Sequence, residues 1–276
     1  MHAPSILSQS QWRVIDQTTL GPSFEAKQSF AIDDALCDSV GQGHSSPVAR
    51  TWVHHDTVIL GIQDTRLPHL QNGLNYLEEQ KCHYIVRNSG GLAVPLDEGV
   101  LNISLIFPEA ENGISINTGY EAMTDFIKKM LVPYHLNIEA REIATSYCPG
   151  SYDLSVNGRK FAGISQRRLR HGVAVQVYLC IDGTGAGRAR LIKDFYERAL
   201  QGEQTKFAYP HIVPENMVSL AEITGEDLDV SKVMALFYMT LRELGQITPS
   251  QLNLEEVQSL SNYYDRMVKR NEKVFG

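Results

Sequence analysis

The chain has 276 residues, a length that can bury a full hydrophobic core without support from disulfides or metals. With 25 Lys and Arg against 32 Asp and Glu, its formal net charge is −7, which argues against general nucleic-acid binding because such binding relies on basic surfaces. No run of 18 apolar residues occurs, and the N-terminus lacks the basic head and apolar core of a signal peptide, so neither a transmembrane helix nor a secretory leader is expected.

The N-terminal part of the chain predicts helices that alternate with short strands. Apolar residues at helical spacing, with Gly41 as a stop, indicate the first helix. The last strand of this part, over residues 100–107, alternates between apolar and polar residues, which is typical of a strand with one buried face. The predicted elements are a helix over residues 25–40, strands over 50–53 and 57–61, a helix over 74–82, and strands over 83–86 and 100–107.

The central part predicts a helix followed by β-hairpins. Thr118 and Glu121 have the spacing of a capping box, which indicates the start of a helix that ends before Pro133. Asn157-Gly158 between two alternating runs is typical of a two-residue hairpin turn. The predicted strands of this part cover residues 137–143, 152–156, 159–166 and 173–179.

The C-terminal part is helical by its periodicity, with helices around residues 191–195 and over 230–244. We expect a last helix to begin at Thr248-Pro249, after a hinge over residues 245–248. Interleaved elements, then hairpins, then helices predict an α+β fold with mixed β-sheets flanked by helices, and no second globular domain.

The four cysteines show no CxxC or zinc-like spacing, which favours reduced thiols and a cytoplasmic protein. Cys37, Cys82 and Cys180 lie in predicted helices or strands and are typical of small buried hydrophobic residues. Cys148 lies in a polar loop before Pro149-Gly150, so it is the candidate for a reactive thiol, although a loop cysteine without a partner is more often inert than catalytic.

A lysine and a pair of glycines are the other candidates for chemistry. Lys160 lies on the return strand of the hairpin that follows Cys148, and an ammonium within about 4–6 Å would favour a thiolate; the alternative is a lysine that protects a sheet edge with its head in water. Gly90-Gly91 could let the backbone approach a ligand, or could simply form a turn. The histidines are scattered, and His54 and His55 would point to opposite faces of a strand, so no metal site is predicted.

Two motifs in this order resemble the glycine and lysine signatures of the biotin/lipoate ligase and octanoyltransferase superfamily. The first is Arg-Asn-Ser-Gly-Gly-Leu-Ala-Val at 87–94, with Asp97 and Leu-Asn-Ile-Ser at 101–104. The second is Asp-Leu-Ser at 153–155, followed by Gly-Arg-Lys-Phe-Ala-Gly-Ile-Ser-Gln at 158–166. The resemblance implies the catalytic-domain fold of that superfamily as a single domain over residues 1–276, with a core at about 28–244 and a terminal helix over 245–276.

Departures from the ligase pattern narrow this resemblance. The third glycine and the Tyr-His-Asp of lipoate ligases are replaced by Leu92 and Pro95-Leu96-Asp97, and the glycine-rich adenylate loop of biotin ligases is absent. Cys148 ahead of the lysine motif is similar to cysteine-dependent octanoyltransferases that take octanoyl from the glycine cleavage H protein. The alternatives are an ATP-dependent lipoate ligase that uses Lys160 alone, an acyl-carrier-protein-dependent octanoyltransferase with Cys180 as nucleophile, and a catalytically dead binding protein.

The resemblance also implies roles for particular residues. Cys148 would carry the acyl group as a thioester, and Lys160 would favour its thiolate and polarise the acyl carbonyl. The donor would be octanoylated H protein and the acceptors the lipoyl domains of 2-oxo acid dehydrogenases, with no cofactor, metal, nucleic acid or membrane involved. A basic patch of Arg159, Arg167, Arg168 and Arg170 could meet acidic lipoyl domains, or could be a solvated loop. The implied substrate-binding residues are Arg87, Ser89, Gly90, Gly91, Ala93, Gly163 and Ser165.

Overall fold

The computed structural model describes residues 5–109 and 113–276, so the first four residues, His2 among them, lie outside it. The strands of this part of the chain are β1 (Gln11–Gln17), β2 (Val48–Trp52), β3 (Thr57–Leu60), β4 (His83–Val86), β5 (Val94–Leu96), β6 (Val100–Pro108), β7 (Glu139–Ala140), β8 (Leu154–Val156), β9 (Arg159–Leu169), β10 (Gly172–Cys180) and β11 (Gln246–Pro249). The helices are α1 (Ala26–Gly41), α2 (Leu70–Glu79), α3 (Ile116–Met130), α4 (Gly185–Leu200), α5 (Leu220–Thr224), α6 (Val230–Leu244) and α7 (Leu254–Phe275).

The strands form two mixed sheets. The large sheet has eight strands in the order β11-β1-β2-β6-β10-β9-β8-β7, with β1 parallel to β2 and β11 and the other pairs antiparallel. The small sheet has the order β4-β3-β5, with β4 parallel and β5 antiparallel to β3. The predicted α+β fold with mixed sheets flanked by helices is confirmed.

The central strand β6 is buried on both faces, whereas its alternating sequence predicted one exposed face. Its apolar residues Leu101, Ile103, Leu105 and Phe107 join a core that includes α3 and α6. The opposite face lies under α1, where Ser104 donates a hydrogen bond of 2.6 Å to Asp33. A short polar side chain there pairs with a polar group of the covering helix, so sequence alternation did not mark a solvent-exposed face.

The hairpin between β8 and β9 is confirmed. Asn157 and Gly158 have φ values of 51° and 74°, the left-handed region that a type I′ turn requires at both positions. This turn places Lys160 on β9 opposite Ser155 of β8.

Two predicted helix starts are wrong. The cap of α3 is Ser115, whose side chain accepts the N–H of Thr118, so the Thr118-Glu121 capping box does not form. The predicted hinge and the Thr248-Pro249 helix start are instead strand β11, which pairs in parallel with β1 and places Gln246 opposite Gln11. The last helix begins after Asn253, which forms a capping box with Glu256.

Other differences concern short elements. The strand expected over residues 137–143 is reduced to the two residues of β7, and the helix expected over 74–82 begins at Leu70 and ends before Lys81, whose φ of 60° is incompatible with a right-handed helix. Strands β1 and β5 and helix α5 were not predicted. Strand β5 contains Pro95, which is tolerated because β5 is an edge strand.

Helix α7 packs along α1 and reaches the small sheet. Tyr263 donates a hydrogen bond of 2.6 Å to Asp38 of α1, and Asn271 bonds both backbone groups of Val86 at the end of β4. Within residues 5–109 and 113–276, no helix has both the length and the apolar character that a membrane crossing needs.

Candidate active site

The Cys148 loop connects β7 to β8 and is held by a buried carboxylate. Asp153 Oδ2 accepts the backbone N–H groups of Ile143 (3.1 Å) and Gly150 (3.2 Å), which lie on either side of the loop tip. Cys148 itself is half-buried and has a φ of 46°, a left-handed conformation that is uncommon for a residue with a side chain. Strained backbone of this kind clusters at functional sites, which makes this loop a candidate site.

Lys160 is fully buried beneath this loop and uses its ammonium to hold it. Its Nζ lies 2.9 Å from Asp153 Oδ1, an ion pair with almost no exposure on either side. Burial raises the pKa of the Asp153 carboxyl, and the Lys160 charge acts against that rise. Nζ also donates to Ser146 Oγ at 3.2 Å, to the Tyr147 carbonyl at 2.9 Å and to the Cys148 carbonyl at 2.8 Å. The three N–H groups of the ammonium are therefore directed at the loop and at Asp153.

The sulfur of Cys148 is contacted by residues of the glycine motif. The backbone N–H of Leu92 lies 3.2 Å from Sγ, and Arg87 Nη2 lies 3.5 Å from it. Arg87 Nη2 also donates to the Leu92 carbonyl at 2.7 Å, so the guanidinium and this stretch of backbone are held together at the sulfur. A cation and a backbone N–H on a sulfur are the surroundings that stabilise a thiolate.

Gly91 makes this arrangement possible. Its φ of 106° is accessible to glycine and strained for other residues, and a Cβ there would overlap Arg87 Nη2 and lie 3.0 Å from Cys148 Sγ. Gly90, by contrast, has open space where a Cβ would be. The predicted close backbone approach therefore occurs at Gly91.

Two adjoining cavities open next to Cys148. The cavity with Cys148, Tyr120 and Pro149 in its wall, which we call the outer cavity, has a volume of about 230 Å³. The neighbouring cavity, which we call the inner cavity, has a volume of about 40 Å³ and mainly apolar walls. Both cavities share Arg87, Val94, Gly163, Ser165 and Tyr178. The inner apolar walls are Phe30, Trp52, Ile59, Val94, Leu96 and Val177.

A buried acid, Asp64, is linked to the glycine motif by hydrogen bonds through Tyr196. Tyr196 donates a hydrogen bond of 2.8 Å to Asp64, and its hydroxyl accepts the N–H of Ala93 at 3.2 Å. Burial raises the pKa of Asp64 to about 6, while the N–H of Gly61, the Tyr196 hydroxyl and the Arg87 charge act in the opposite direction. A carboxyl that was not singled out in the sequence therefore supports the backbone that contacts Cys148.

All but one of the predicted substrate-binding residues line the two cavities. Arg87, Ser89, Gly90, Gly91, Gly163 and Ser165 line one or both cavities. Ala93 lines neither; it is fully buried, and its N–H is directed at Tyr196. Tyr178, which lines both cavities, and Asp64 were missed, because an aromatic residue in an alternating strand and an acid after a strand are typical of ordinary structure.

The other three cysteines lie outside both cavities. Cys180, the rival nucleophile, is fully buried 3.4 Å from the Tyr147 hydroxyl, and burial raises the pKa of its thiol. Burial also raises the pKa of the thiols of Cys37 and Cys82. These surroundings favour neutral thiols.

The predicted basic patch is divided. Arg167 forms an ion pair with Asp34, and Arg168 forms one with Glu109. Arg159 lies at the other end of β9, about 30 Å away from Arg168 at the rise of a strand. Among the described residues, no group of three or more His, Cys, Asp or Glu is placed to hold a metal ion.

Comparison with known proteins bears on this site. The family described as the lipoyl protein ligase A/B catalytic domain matches residues 25–242. An octanoyl-[GcvH]:protein N-octanoyltransferase of Anoxybacillus flavithermus is 59% identical over 97% of both chains. A lipoyl-[GcvH]:protein N-lipoyltransferase of Listeria monocytogenes is 48% identical over 98% of both.

Solved structures share the fold at low sequence identity. A lipoate protein ligase from T. acidophilum with bound lipoic acid is 16% identical with a TM-score of 0.70, over 97% of this chain and 100% of that one. A lipoate-protein ligase A bound with ATP is 16% identical with a TM-score of 0.69, over 94% and 95% of the two chains.

Proposed function

The chain belongs to the lipoyl protein ligase A/B catalytic-domain family and, within it, to the octanoyl-[GcvH]:protein N-octanoyltransferases, and from this membership we propose that it moves octanoyl between protein lysines through a thioester on Cys148. The donor is octanoylated glycine cleavage H protein, and the acceptors are lipoyl domains of 2-oxo acid dehydrogenases. The observation that carries the proposal is the position of Cys148 Sγ, at the outer cavity and in contact with a cation and a backbone N–H.

The reaction consists of two acyl transfers. The Cys148 thiolate attacks the carbonyl carbon of the octanoyl amide and releases the donor lysine as an amine, which leaves octanoyl on sulfur. The amine of the acceptor lysine then attacks the thioester and releases the thiolate. One amide is exchanged for another, so no nucleotide is required to drive the overall reaction.

The cavities suit the two ends of the acyl-lysine. Cys148 is half-buried and lies in the wall of the outer cavity, which is the place where the lysine arm of a carrier protein would meet it. The inner cavity has the apolar walls that an eight-carbon chain requires, because burying each methylene in such walls contributes about 0.8 kcal/mol.

The part of Lys160 in this proposal is to place the nucleophile. Its ammonium binds the carbonyls of Tyr147 and Cys148, which supports the left-handed backbone that directs the thiol at the glycine motif.

The test is the intact mass of the protein after mixing with octanoylated H protein. We expect the mass to rise by one octanoyl group, and hydroxylamine to remove it because it cleaves thioesters. Cys148→Ala is expected to abolish the gain. Cys180→Ala, a matched change of a buried thiol, is expected to retain it.

Two outcomes would contradict the proposal. If the gain persists in Cys148→Ala and disappears in Cys180→Ala, the nucleophile is Cys180. If octanoate and ATP modify a lipoyl domain in the presence of Cys148→Ala, whereas the octanoylated H protein does not react with the unchanged protein, the activity is that of a ligase.

A further inference from the structure

We propose that Arg87 is the catalytic cation of this site: its Nη2 stabilises the Cys148 thiolate, and its Nε–H binds the acyl carbonyl oxygen when that oxygen becomes negatively charged. The inference rests on the proposed function, because it assigns a residue to the chemistry of Cys148. Arg87 was expected only to bind substrate, and the activating charge was expected from Lys160.

The contacts of the two cations support this assignment. Lys160 directs its ammonium at Asp153, Ser146 and two backbone carbonyls, one of them that of Cys148. Arg87 Nη2, in contrast, lies 3.5 Å from Cys148 Sγ itself. A guanidinium remains charged throughout the functional pH range, so its effect on the sulfur does not depend on its own protonation.

The Nε–H of Arg87 is a hydrogen-bond donor that has no partner among the described residues. This nitrogen is buried, and the residue is only 7% exposed. Leaving a buried donor unpaired costs free energy, and such a group therefore calls for an explanation. Arg87 lines both cavities, and an acyl carbonyl bound beside it would give the Nε–H the partner that it lacks.

The glycine motif keeps this arginine at the sulfur. Nη2 also donates to the Leu92 carbonyl, and the same residue directs its N–H at Sγ. Gly91 leaves the space that Arg87 Nη2 occupies. The guanidinium is therefore pre-positioned, which is the condition under which a charge contributes most to catalysis.

The acylation step balances with these groups. The thiol of Cys148 loses its proton, and the thiolate forms a bond from sulfur to the acyl carbon while the carbonyl π electrons move to oxygen. Arg87 Nε–H stabilises this oxyanion. When the carbonyl re-forms, the bond from carbon to the lysine nitrogen breaks, and that nitrogen takes up a proton from water at the open mouth of the cavity, which replaces the one that Cys148 released.

Other titratable groups around the outer cavity are Tyr120, Asp153 and Tyr178. Burial raises the pKa of each of them. The two tyrosines therefore stay neutral around pH 7 to 9, and Asp153 is paired with Lys160. Behind the glycine motif lie Asp64 and Tyr196, which do not line the cavity.

The test compares Arg87→Gln and Arg87→Lys in the full chain. One measurement is the pH dependence of Cys148 alkylation by iodoacetamide, which reacts with thiolates, and the other is the single-turnover rate of octanoyl transfer to Cys148 from octanoylated H protein. Arg188→Lys is the matched control, because Arg188 is also 7% exposed but pairs with Asp97 and lines neither cavity.

We expect Arg87→Gln to shift the alkylation profile to higher pH by about one unit or more, because a positive charge beside the sulfur is lost. Arg87→Lys retains a charge and is expected to shift it less. Both variants lose the Nε–H, so both are expected to slow octanoyl transfer by about 10²- to 10³-fold. The Arg188→Lys profile should match that of the unchanged protein.

The proposal is overturned if the Arg87→Gln profile keeps its midpoint and only its maximal rate changes, because that is the result of a loosened loop. It is also overturned if Arg87→Lys restores octanoyl transfer fully. If the unchanged protein gains no octanoyl at all, the proposed function fails instead, and the alkylation profile still decides whether Arg87 stabilises the thiolate.

Discussion

Two buried cations lie next to the Cys148 loop, and each contacts a different part of the site. Lys160 contacts the backbone of the loop and Asp153, whereas Arg87 contacts the sulfur. Replacing either cation is therefore expected to have a different main effect. Loss of Lys160 should act on stability and on loop placement, and loss of Arg87 on chemistry.

Lys160→Met should lower the free energy of unfolding by about 3–5 kcal/mol, because it leaves the Asp153 carboxylate buried without a counter-charge. Adding Asp153→Asn should recover at least about 1 kcal/mol, since the uncompensated charge is removed. Urea unfolding of the two single variants and the double variant measures this. Additive losses would show that the pair does not act as a unit.

Asp64 makes the stability of the protein depend on pH. Its pKa is about 6 in the folded protein against an ordinary value of 3.8, so the folded state favours the protonated form. This contribution is complete below about pH 4 and is lost as the pH rises through 6. Relative to Asp64→Asn, the unchanged protein should therefore lose about 2–3 kcal/mol of unfolding free energy between pH 4 and 7. A constant difference between the two proteins over this range would contradict the prediction.

Among the elements, the C-terminal helix α7 has a direct connection to the site. Asn271 accepts the N–H of Val86 at 2.7 Å and donates to its carbonyl at 3.2 Å, which completes the hydrogen bonding at the free edge of β4. Arg87 is the next residue in the chain. A helix that follows the matched family region therefore supports the strand from which the proposed catalytic arginine emerges.

Asn271→Leu should destabilise the protein by about 2 kcal/mol, because two backbone groups of Val86 lose their partner at a buried position. Tyr264→Phe, on the same helix, removes only an exposed hydrogen bond to Glu25 and should cost less than about 0.5 kcal/mol. Thermal and urea unfolding of both variants test this. Equal losses would indicate that Asn271 adds nothing beyond a surface contact.

At the scale of the whole molecule, the inner cavity lies between the two sheets. Ile59 of β3 and Leu96 of β5 come from the small sheet, and Trp52 of β2 and Val177 of β10 from the large one. A chain bound there would contact both sheets at once. An acyl group on Cys148 is therefore expected to stabilise the folded protein as well as to react.

Octanoyl on Cys148 should raise the melting temperature more than acetyl does. The longer group adds six carbons to the apolar cavity, and burial contributes at most about 0.8 kcal/mol for each, or about 5 kcal/mol in all. Acetyl is the control for loss of the thiol itself. Equal melting temperatures of the two acylated proteins would show that the chain does not enter the cavity.

The site residues could be predicted where the signal is local. Asn157-Gly158 forms the expected turn because its two residues tolerate positive φ, and Gly90-Gly91 marked a loop that approaches another group. The roles of Arg87 and Asp64 could not be predicted in this way. Arg87 meets Cys148 across 61 residues of sequence, and Tyr196 meets Asp64 across 132.

The sequence by itself determined the α+β class, the hairpin, and the order of the glycine and lysine motifs around Cys148, because periodicity, turn chemistry and motif spacing act between near neighbours in the chain. Only the tertiary structure decided that β11 lies beside β1, that both faces of β6 are covered, and that Arg87 rather than Lys160 contacts the sulfur. These outcomes depend on which buried groups become neighbours in space, and burial and pairing between distant segments leave no periodic trace in the sequence.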